Sequence, residues 1–251
     1  MQALGQEIIP IDLNYKLRFD VDCAFICTPT QFHVDNAIEY LDRGIPVFIE
    51  KPLTYCVEEI DRILKYVNDS TISMVGCNLR FHPSIIRAKA IADTKKVIYA
   101  RAETGYYLPF WRKGDYKQTY SASEYGGIII DAIHEPDYLY WLFGNIKYIK
   151  TVCDKVSDLE IKKEDIAEMG IIFESGVSAS VHCDYLMKNY HRKLDLYLPH
   201  ETITFRIKPT NIMYKKEIEY YLDCVERKVK PINGIEEASY VLKKVLGSII
   251  G

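Results

Sequence analysis

The sequence predicts an α/β unit with a partial Rossmann-like parallel sheet, followed by an α+β unit with an antiparallel sheet and helices on one face. Apolar runs at 23–27, 47–49 and 72–75 show no alternation, which indicates strands buried on both faces of a parallel sheet. Residues 177–181 alternate between apolar and small polar side chains, the pattern of a sheet covered on one face. A turn sequence at 174–176 precedes them and favours a hairpin.

The first unit is predicted as strand, helix, strand, helix, strand. Residues 32–43 carry apolar side chains at the spacing of one helix face and end at Gly44, and residues 57–67 repeat that pattern. Such crossovers make the strands parallel, so Thr28, Lys51 and Asn78 should meet at one edge of the sheet. Ligands of α/β sheets bind beyond the carboxyl ends of the strands.

Glu50-Lys51-Pro52 stands at the end of the second strand and is the most informative tripeptide of the chain. Pro52 restricts its own φ and favours an extended Lys51, so the backbone fixes where the amine lies. The functional interpretation is an amine at the mouth of a ligand site. The alternative is an ordinary surface lysine before a helix.

The second unit begins near residue 81, which gives predicted domains of 1–80 and 81–251. Strands are expected at 97–102, 146–152, 168–173, 177–183, 193–198 and 202–207, and helices at 84–92, 214–226 and 235–249. A sheet with helices on one face only leaves its other face open. A homo-oligomer, a dimer or tetramer through this sheet, is therefore expected.

Composition limits the classes of protein. The 251 residues are 48% hydrophobic and 27% charged, with a net charge of -3 and dispersed basic residues, which argues against nucleic acid as a partner. No apolar stretch approaches the roughly 20 residues that span a bilayer, so a cytoplasmic protein is expected. The seven cysteines include no Cys-x-x-Cys pair and are interpreted as reduced core residues, with no metal site.

A second chemical cluster lies at Asp131, His134 and Asp137. Because Pro136 fits only the first turn of a helix, a helix should begin near His134. The positive end of the helix disfavours imidazolium and keeps a neutral base available. In the alternative, His134 caps the helix and Asp131 accepts hydrogen bonds from backbone amides.

Aromatic and basic residues between 106 and 120 form the predicted substrate surface. Trp111, Arg112 and Tyr116 combine a flat apolar face, a bidentate donor and a hydroxyl, which suits a sugar or its nucleotide phosphate. The alternative is that these side chains only pack. His182 with Asp184, and His191 with Arg192, are interpreted as structural.

The ordered motifs resemble the Gfo/Idh/MocA oxidoreductases, the family of glucose-fructose oxidoreductase and inositol dehydrogenase. The resemblance is carried by Cys27-Thr28-Pro29 with His33, Glu50-Lys51-Pro52, Asn78-Leu79-Arg80-Phe81-His82-Pro83, and Gly126-Gly127 followed by Asp131, His134 and Asp137. Residues 107–121 and 134–138 look like the branch associated with surface-sugar biosynthesis. The order of the motifs runs through nearly the whole chain.

The resemblance implies an NAD- or NADP-dependent oxidoreductase that acts on a hydroxyl or carbonyl of a sugar or nucleotide-sugar derivative. Residue by residue it implies catalytic Lys51, Asp131 and His134, cofactor-binding Thr28, Pro29, His33, Glu50, Lys51 and Asn78, and substrate-binding Arg80, Trp111, Arg112 and Tyr116. For His33, simple helix capping is the alternative. Only Ala132 and Ile133 separate the aspartate from the histidine, whereas most of the family has three residues there.

One motif of the family is not present in the 251 residues: no Gly-x-Gly-x-x-Gly turn occurs to hold a dinucleotide pyrophosphate. Residues 1–5 resemble the end of the helix after the second strand of the family, so the chain is expected to enter the fold partway. An incomplete copy that binds NAD(H) weakly is predicted. The alternative is a non-catalytic remnant that keeps a sugar-binding and oligomer-forming domain.

Overall fold

The computed structural model describes residues 5–10, 20–111 and 114–250. The first unit is a parallel sheet in the order β1-β2-β3. Its strands are β1 (Ala24–Ile26), β2 (Val47–Glu50) and β3 (Ser73–Gly76), with crossover helices α1 (His33–Leu41) and α2 (Val57–Ile63). The predicted βαβαβ order is confirmed, and the carboxyl ends of all three strands lie at one edge.

Hydrophobic spacing explains these elements. Val34, Ala37 and Leu41 are buried along α1, and the helix is followed by Gly44 at φ +69°, a conformation that glycine adopts without a Cβ penalty. All apolar residues of β2 are buried, as expected for a strand covered on both faces.

The second unit is a seven-stranded sheet in the order β10-β5-β6-β7-β4-β8-β9. Its strands are β4 (Tyr99–Gly105), β5 (Ile146–Asp154), β6 (Ile166–Phe173), β7 (Ser178–Asp184), β8 (His191–Tyr197), β9 (Thr202–Arg206) and β10 (Ile249–Ile250). The helices are α3 (Pro83–Thr94), α4 (Leu108–Trp111), α5 (Ile128–Asp131), α6 (His134–Phe143), α7 (Asn211–Arg227) and α8 (Ile235–Leu246).

The sheet is mainly antiparallel, as predicted, and also contains two parallel pairs. β4 runs parallel to β7, and β10 runs parallel to β5, while the remaining pairs are antiparallel. Hairpin turns in the sequence predict only neighbours along the chain. β4 and β7 become neighbours through a long crossover, which permits parallel pairing but leaves no turn signal. The last helix also ends earlier than expected, at Leu246, and β10 follows.

One face of the second sheet is covered by helices, as predicted. Along β6, Ala167, Met169 and Ile171 are buried, while the alternate residues Glu168 and Ile172 are exposed. This period of two is the mark of a sheet with a core face and an open face. Within the described ranges, no helix combines the length and apolar character needed to cross a membrane.

Late segments of the chain pack against the first sheet. On α7, the ring of Tyr221 lies 5.3 Å from that of Phe25 and 5.5 Å from that of Phe48. Asn233 accepts a hydrogen bond from the Val75 amide at its backbone carbonyl, and its side-chain amide donates to the Val75 carbonyl, both at 2.8 Å. These contacts cross residue 80, where the sequence suggests a boundary. The division into 1–80 and 81–251 stays a prediction.

Candidate active site

Lys51 lies at the carboxyl end of β2 and reaches α5. Its Nζ donates to the backbone carbonyl of Asp131 at 3.0 Å and lies 3.4 Å from both Asp131 Oδ1 and the Tyr120 hydroxyl. The lysine side chain is 16% exposed, and that of Asp131 is fully buried. Lys51 is therefore part of a charged cluster at the sheet edge, and the alternative of an ordinary surface lysine does not describe it.

The Asp131 carboxylate is the centre of this cluster. Ser121 Oγ and the Tyr185 hydroxyl each donate to Oδ2 at 2.6 Å, and the Tyr120 hydroxyl donates to Oδ1. Three hydroxyls and an ammonium group thus stabilise the ionised form. The sequence alternative, in which backbone amides donate to this carboxylate, did not anticipate these side-chain donors.

His134 begins α6, as Pro136 predicts. Its side chain is buried, and its Nδ1 has no hydrogen-bond partner within the described residues. Burial, followed by the charges of Lys51 and Arg192, holds its pKa well below the ordinary value. The imidazole is therefore neutral and able to accept a proton. No side-chain cap hydrogen bond precedes α6, so the capping alternative is not observed.

A cavity of about 340 Å³ opens in front of these residues. It is lined by Glu50, Lys51, Asn78, Leu79, Tyr106, Trp111, Tyr120, Asp131, His134, Tyr190, Arg192, Ile207, Lys208, Pro209, Met213 and Tyr214. The structure thus brings the three predicted catalytic residues together with Glu50, Asn78 and Trp111, across more than 80 residues of sequence.

Glu50 and Asn78 offer polar groups beside Lys51. Burial raises the pKa of the Glu50 carboxyl, although the charge of Lys51 opposes the effect. Asn78 is 7% exposed and borders the cavity. An amide and a carboxyl at the edge of a parallel sheet fit the polar end of a nicotinamide cofactor.

Three predicted cofactor residues lie outside the cavity wall: Thr28, Pro29 and His33. His33 is 2% exposed, and its ring nitrogens lie 2.8 Å from the carbonyl oxygens of Pro52 and Thr28. Pro29 precedes a 3-10 turn at Thr30–Phe32. His33 thus joins the loop after β1 to the loop after β2, and its role here is to position Thr28 and Pro52.

The four predicted substrate residues do not share one location. Arg80 is 1% exposed and pairs with Asp137 through Nε at 2.8 Å and Nη2 at 2.7 Å, and with Glu237 through Nη1 at 2.7 Å. It is a buried ion-pair residue and not part of the cavity wall, which corrects the sequence expectation. Each of the three guanidinium nitrogens donates to a carboxylate of the protein, and Arg80 does not line the cavity.

Of the remaining three, Trp111 lines the cavity and packs on Tyr106 with ring centroids 4.3 Å apart. Tyr116 lies elsewhere: its hydroxyl accepts a hydrogen bond from the Glu160 amide at 3.1 Å. Arg112 lies outside the described residues. Of the stretch from 106 to 120, Trp111 thus lines the cavity together with Tyr106 and Tyr120.

Sequence reasoning missed several residues. Tyr185, Tyr190, Lys208 and Tyr214 carry no motif, and Arg192 was interpreted as structural although it lines the cavity. The available signal was positional for Tyr185, since it follows a predicted strand directly. For the others, only the packing of β8, β9 and α7 reveals the site.

A second cavity of about 450 Å³ lies beyond α5. Ile129 and Ile130 contribute to its wall, while Asp131, the last residue of the same helix, faces the first cavity. None of the predicted site residues lines this second cavity.

Two family models match this chain. A model of an oxidoreductase family with an NAD-binding Rossmann fold matches residues 12–76, and the GFO/IDH/MocA C-terminal domain matches residues 86–204. The two-domain architecture, with its cavity at the carboxyl edge of a parallel sheet, is that of a dinucleotide-dependent oxidoreductase fold. The chain belongs to the Gfo/Idh/MocA oxidoreductase family.

Curated relatives are about one-third identical to this chain over the aligned residues. The scyllo-inositol 2-dehydrogenase (NAD(+)) of Bacillus subtilis is 32% identical over 126 residues, 49% of this chain and 36% of the relative. The inositol 2-dehydrogenase of Rhizobium meliloti is 33% identical over 96 residues, 38% of this chain and 29% of the relative. The aligned part therefore spans well under half the length of these relatives.

Solved structures share the fold at lower identity. The myo-inositol 2-dehydrogenase of Lactobacillus plantarum superposes with a TM-score of 0.79 at 19% identity, over 92% of this chain and 78% of that one. The scyllo-inositol dehydrogenase of Lactobacillus casei, solved with NAD(H) and scyllo-inositol, superposes with a TM-score of 0.76 at 16% identity, over 92% and 77%.

Proposed function

We propose that the protein is an NAD(P)-dependent oxidoreductase that acts on a hydroxyl or carbonyl group of a sugar or nucleotide-sugar derivative. The observation that carries the proposal is the cluster of Lys51, Asp131 and His134 at one cavity. A cation, an orienting carboxylate and a neutral base are the groups that alcohol oxidation requires.

In the oxidising direction, His134 accepts the proton of the substrate hydroxyl. Its lowered pKa keeps the imidazole in the basic form. The Lys51 ammonium stabilises the negative charge that develops on the substrate oxygen, and Asp131 holds the ammonium in place. A nicotinamide cofactor bound at Glu50, Lys51 and Asn78 would supply the hydride acceptor.

Glu50, Lys51 and Asn78 would hold the nicotinamide end of the cofactor, because their polar groups border the cavity. Thr28, Pro29 and His33 would shape the neighbouring loop, with His33 fixing the Thr28 carbonyl. The choice between NAD and NADP depends on groups near the ribose 2′-hydroxyl, which these residues do not include.

Kinetics of variants test the proposal. With NAD(P)+ and a panel of sugars, Lys51→Ala and His134→Ala should each lower kcat by about 10²-fold or more, because each removes a group that acts in the transition state. Lys215→Ala and His200→Ala, at exposed positions, serve as matched controls and should keep wild-type rates. Activity within a few-fold of wild type in both site variants would refute the proposal.

The second candidate is a non-catalytic protein that keeps sugar binding and assembly. The 251 residues contain no Gly-x-Gly-x-x-Gly turn for a pyrophosphate, so the cofactor affinity of this chain is the quantity to measure. Calorimetry with NADH separates the two candidates. Binding too weak to measure, together with retained sugar binding, supports the second candidate, whereas a micromolar Kd for the 251-residue chain contradicts it.

A homo-oligomer through the open sheet face is part of the proposal. Tyr148, Val152 and Ile172 are apolar residues exposed there, with Lys150 between the first two on β5, and Ile250 pairs beside Val152; the exposed fractions of the four apolar residues lie between 41% and 58%. Apolar surface gathered in one patch favours association with a second copy. We place the protein in the cytoplasm, since its described cysteines are free thiols.

A further inference from the structure

We infer that the substrate carries an anionic group, a carboxylate or a phosphate, which binds to Arg192 and Lys208 on the cavity wall facing away from β2. The inference deepens the proposed function by naming a substrate class. It concerns binding and can be tested without turnover.

Backbone pairing brings the two cations together. β8 and β9 are antiparallel, and beyond their last ladder pair the Ile207 amide donates to the Arg192 carbonyl at 2.9 Å. Lys208 follows Ile207 directly, so both basic side chains start from adjacent points of the same sheet edge. Both line the cavity that holds Lys51 and His134.

Arg192 is fixed in place from behind. Its Nε lies 2.9 Å from Glu135 Oε1 and donates to Thr104 Oγ1 at 3.1 Å. Glu135 is fully buried and adjoins His134 in sequence, so it lies behind the wall and not in the cavity. An arginine held at Nε presents its terminal amines as a pre-oriented fork for a carboxylate or phosphate.

Arg192 is also close to the proposed base. Both residues line the same cavity, and the charges of Lys51 and Arg192 lower the pKa of His134. An anion bound at Arg192 would therefore share that cavity with a hydroxyl at His134. This arrangement suits an acidic group on the same sugar as the reacting carbon.

The distribution of charge in the cavity is asymmetric. Its two carboxylates, Glu50 and Asp131, lie on the side of Lys51, and Asp131 is committed to Lys51 and three hydroxyls. Around Arg192 and Lys208, the lining residues are aromatic, apolar or proline. The 17-residue helix α7 begins directly beyond, capped by Thr210, and adds partial positive charge.

The cavity has room for a small anionic sugar. About 340 Å³ is at the small end of ligand pockets, which span roughly 300–1,000 Å³. A monosaccharide acid or a sugar monophosphate is the smallest substrate that carries both the reacting carbon and the acidic group. The aromatic residues Tyr106, Trp111, Tyr190 and Tyr214 provide flat faces for one sugar ring.

Ligand binding tests the inference. Calorimetry and thermal shift of the 251-residue protein should show that glucuronate or glucose 6-phosphate binds at least tenfold more tightly than neutral myo-inositol. Lys208→Gln should weaken anion binding by about tenfold, the usual effect of losing a charged hydrogen bond. Lys215→Gln, an exposed lysine on α7 outside the cavity, is the matched control and should bind as wild type.

Comparing glucuronate with glucose 6-phosphate distinguishes a carboxylate site from a phosphate site. The anion with the lower Kd carries the group that the site prefers. Arg192→Lys keeps the charge but removes the fork, and should also weaken binding; Lys208→Gln decides the matter if Arg192→Lys fails to fold. Equal Kd values for myo-inositol and both anions, or wild-type affinity in Lys208→Gln, would overturn the inference. Tight anion binding without hydride transfer would instead refute the proposed function alone.

Discussion

At the residue scale, the site shows how buried charges are stabilised. Asp131 is surrounded by an ammonium group and three hydroxyls, so its ionised form costs little to bury. Glu217 on α7 is the opposite case. It is 2% exposed, and its Oε1 has no hydrogen-bond partner in the described part of the chain. The two carboxyls should therefore respond differently to substitution.

We expect Asp131→Asn to lower the free energy of unfolding by about 3 kcal/mol, because it leaves Lys51 without its counter-charge and turns an amide N–H donor toward hydroxyl donors. Urea denaturation measures the change. Asp93→Asn removes the carboxylate of an exposed Lys89–Asp93 pair and should cost at most about 0.5 kcal/mol. Equal losses in the two variants would show that the Asp131 cluster adds nothing to stability.

Glu217→Gln should stabilise the protein at alkaline pH. Burial, followed by the charges of Glu50 and Asp137, raises the pKa of the Glu217 carboxyl to about 9. In the unfolded chain the Glu217 carboxyl has a pKa of about 4.3, so above that pH only the folded state keeps the proton. The free energy of unfolding therefore falls as the pH rises toward 9. A glutamine cannot titrate, which removes that loss, worth up to about 5 kcal/mol at pH 8.

The measurement is thermal or urea unfolding at several pH values between 4 and 9. Glu219→Gln, two residues away on the exposed face of α7, is the matched control and should follow the wild-type curve. If Glu217→Gln and wild type differ by the same amount at every pH, the Glu217 carboxyl does not hold a proton in the folded state.

At the scale of elements, the two sheets differ in how their strands are supported. Within the described residues β1 pairs with β2 alone, whereas β7 lies between β6 and β4 and has seven residues. β1 has three residues, and its outward edge carries no paired strand in the part described. Packing of Tyr221 against Phe25 and Phe48 supplies the compensating contact.

Hydrogen exchange should therefore separate the strands. Amides of residues 24–26 are expected to exchange well before those of residues 178–184, because a short edge strand opens by local unfolding and a central strand opens only with the whole sheet. Mass spectrometry of dilute, monomeric protein gives both rates in one experiment. Equal, strong protection of the two strands would show that the first sheet is as stable as the second.

At the scale of the whole molecule, the open face of the seven-stranded sheet is the surface most suited to assembly. Its apolar strip of Tyr148, Val152, Ile172 and Ile250 crosses β5, β6 and β10. The row of Val152 becomes charged from β6 onward, since Val152 pairs with Glu168 and the row continues through His182, Glu103 and Lys193 on β7, β4 and β8. The face thus has an apolar part that can be buried and a polar part that can fix register.

Val152→Lys should shift the protein toward monomers, because it places a charge in the apolar strip and burying that charge without a partner is costly. Light scattering coupled to gel filtration reports the mass. Val156→Lys is the matched control: Val156 is as exposed as Val152, at 58%, but lies in the loop after β5. An oligomer that persists in Val152→Lys would place the interface elsewhere. A monomeric wild-type protein would refute the proposed homo-oligomer.

Sequence by itself determined the parallel first sheet, the start of α6 at His134 and the meeting of Lys51 with Asn78, since these depend on local periodicity, on Pro136 and on crossover geometry. Tertiary structure decided which side chains pair with one another. Arg80 binds Asp137 and Glu237, which lie 57 and 157 residues away, and no local pattern encodes such a contact. Side-chain function in the cavity is set by long-range packing, whereas backbone elements are set by neighbours along the chain.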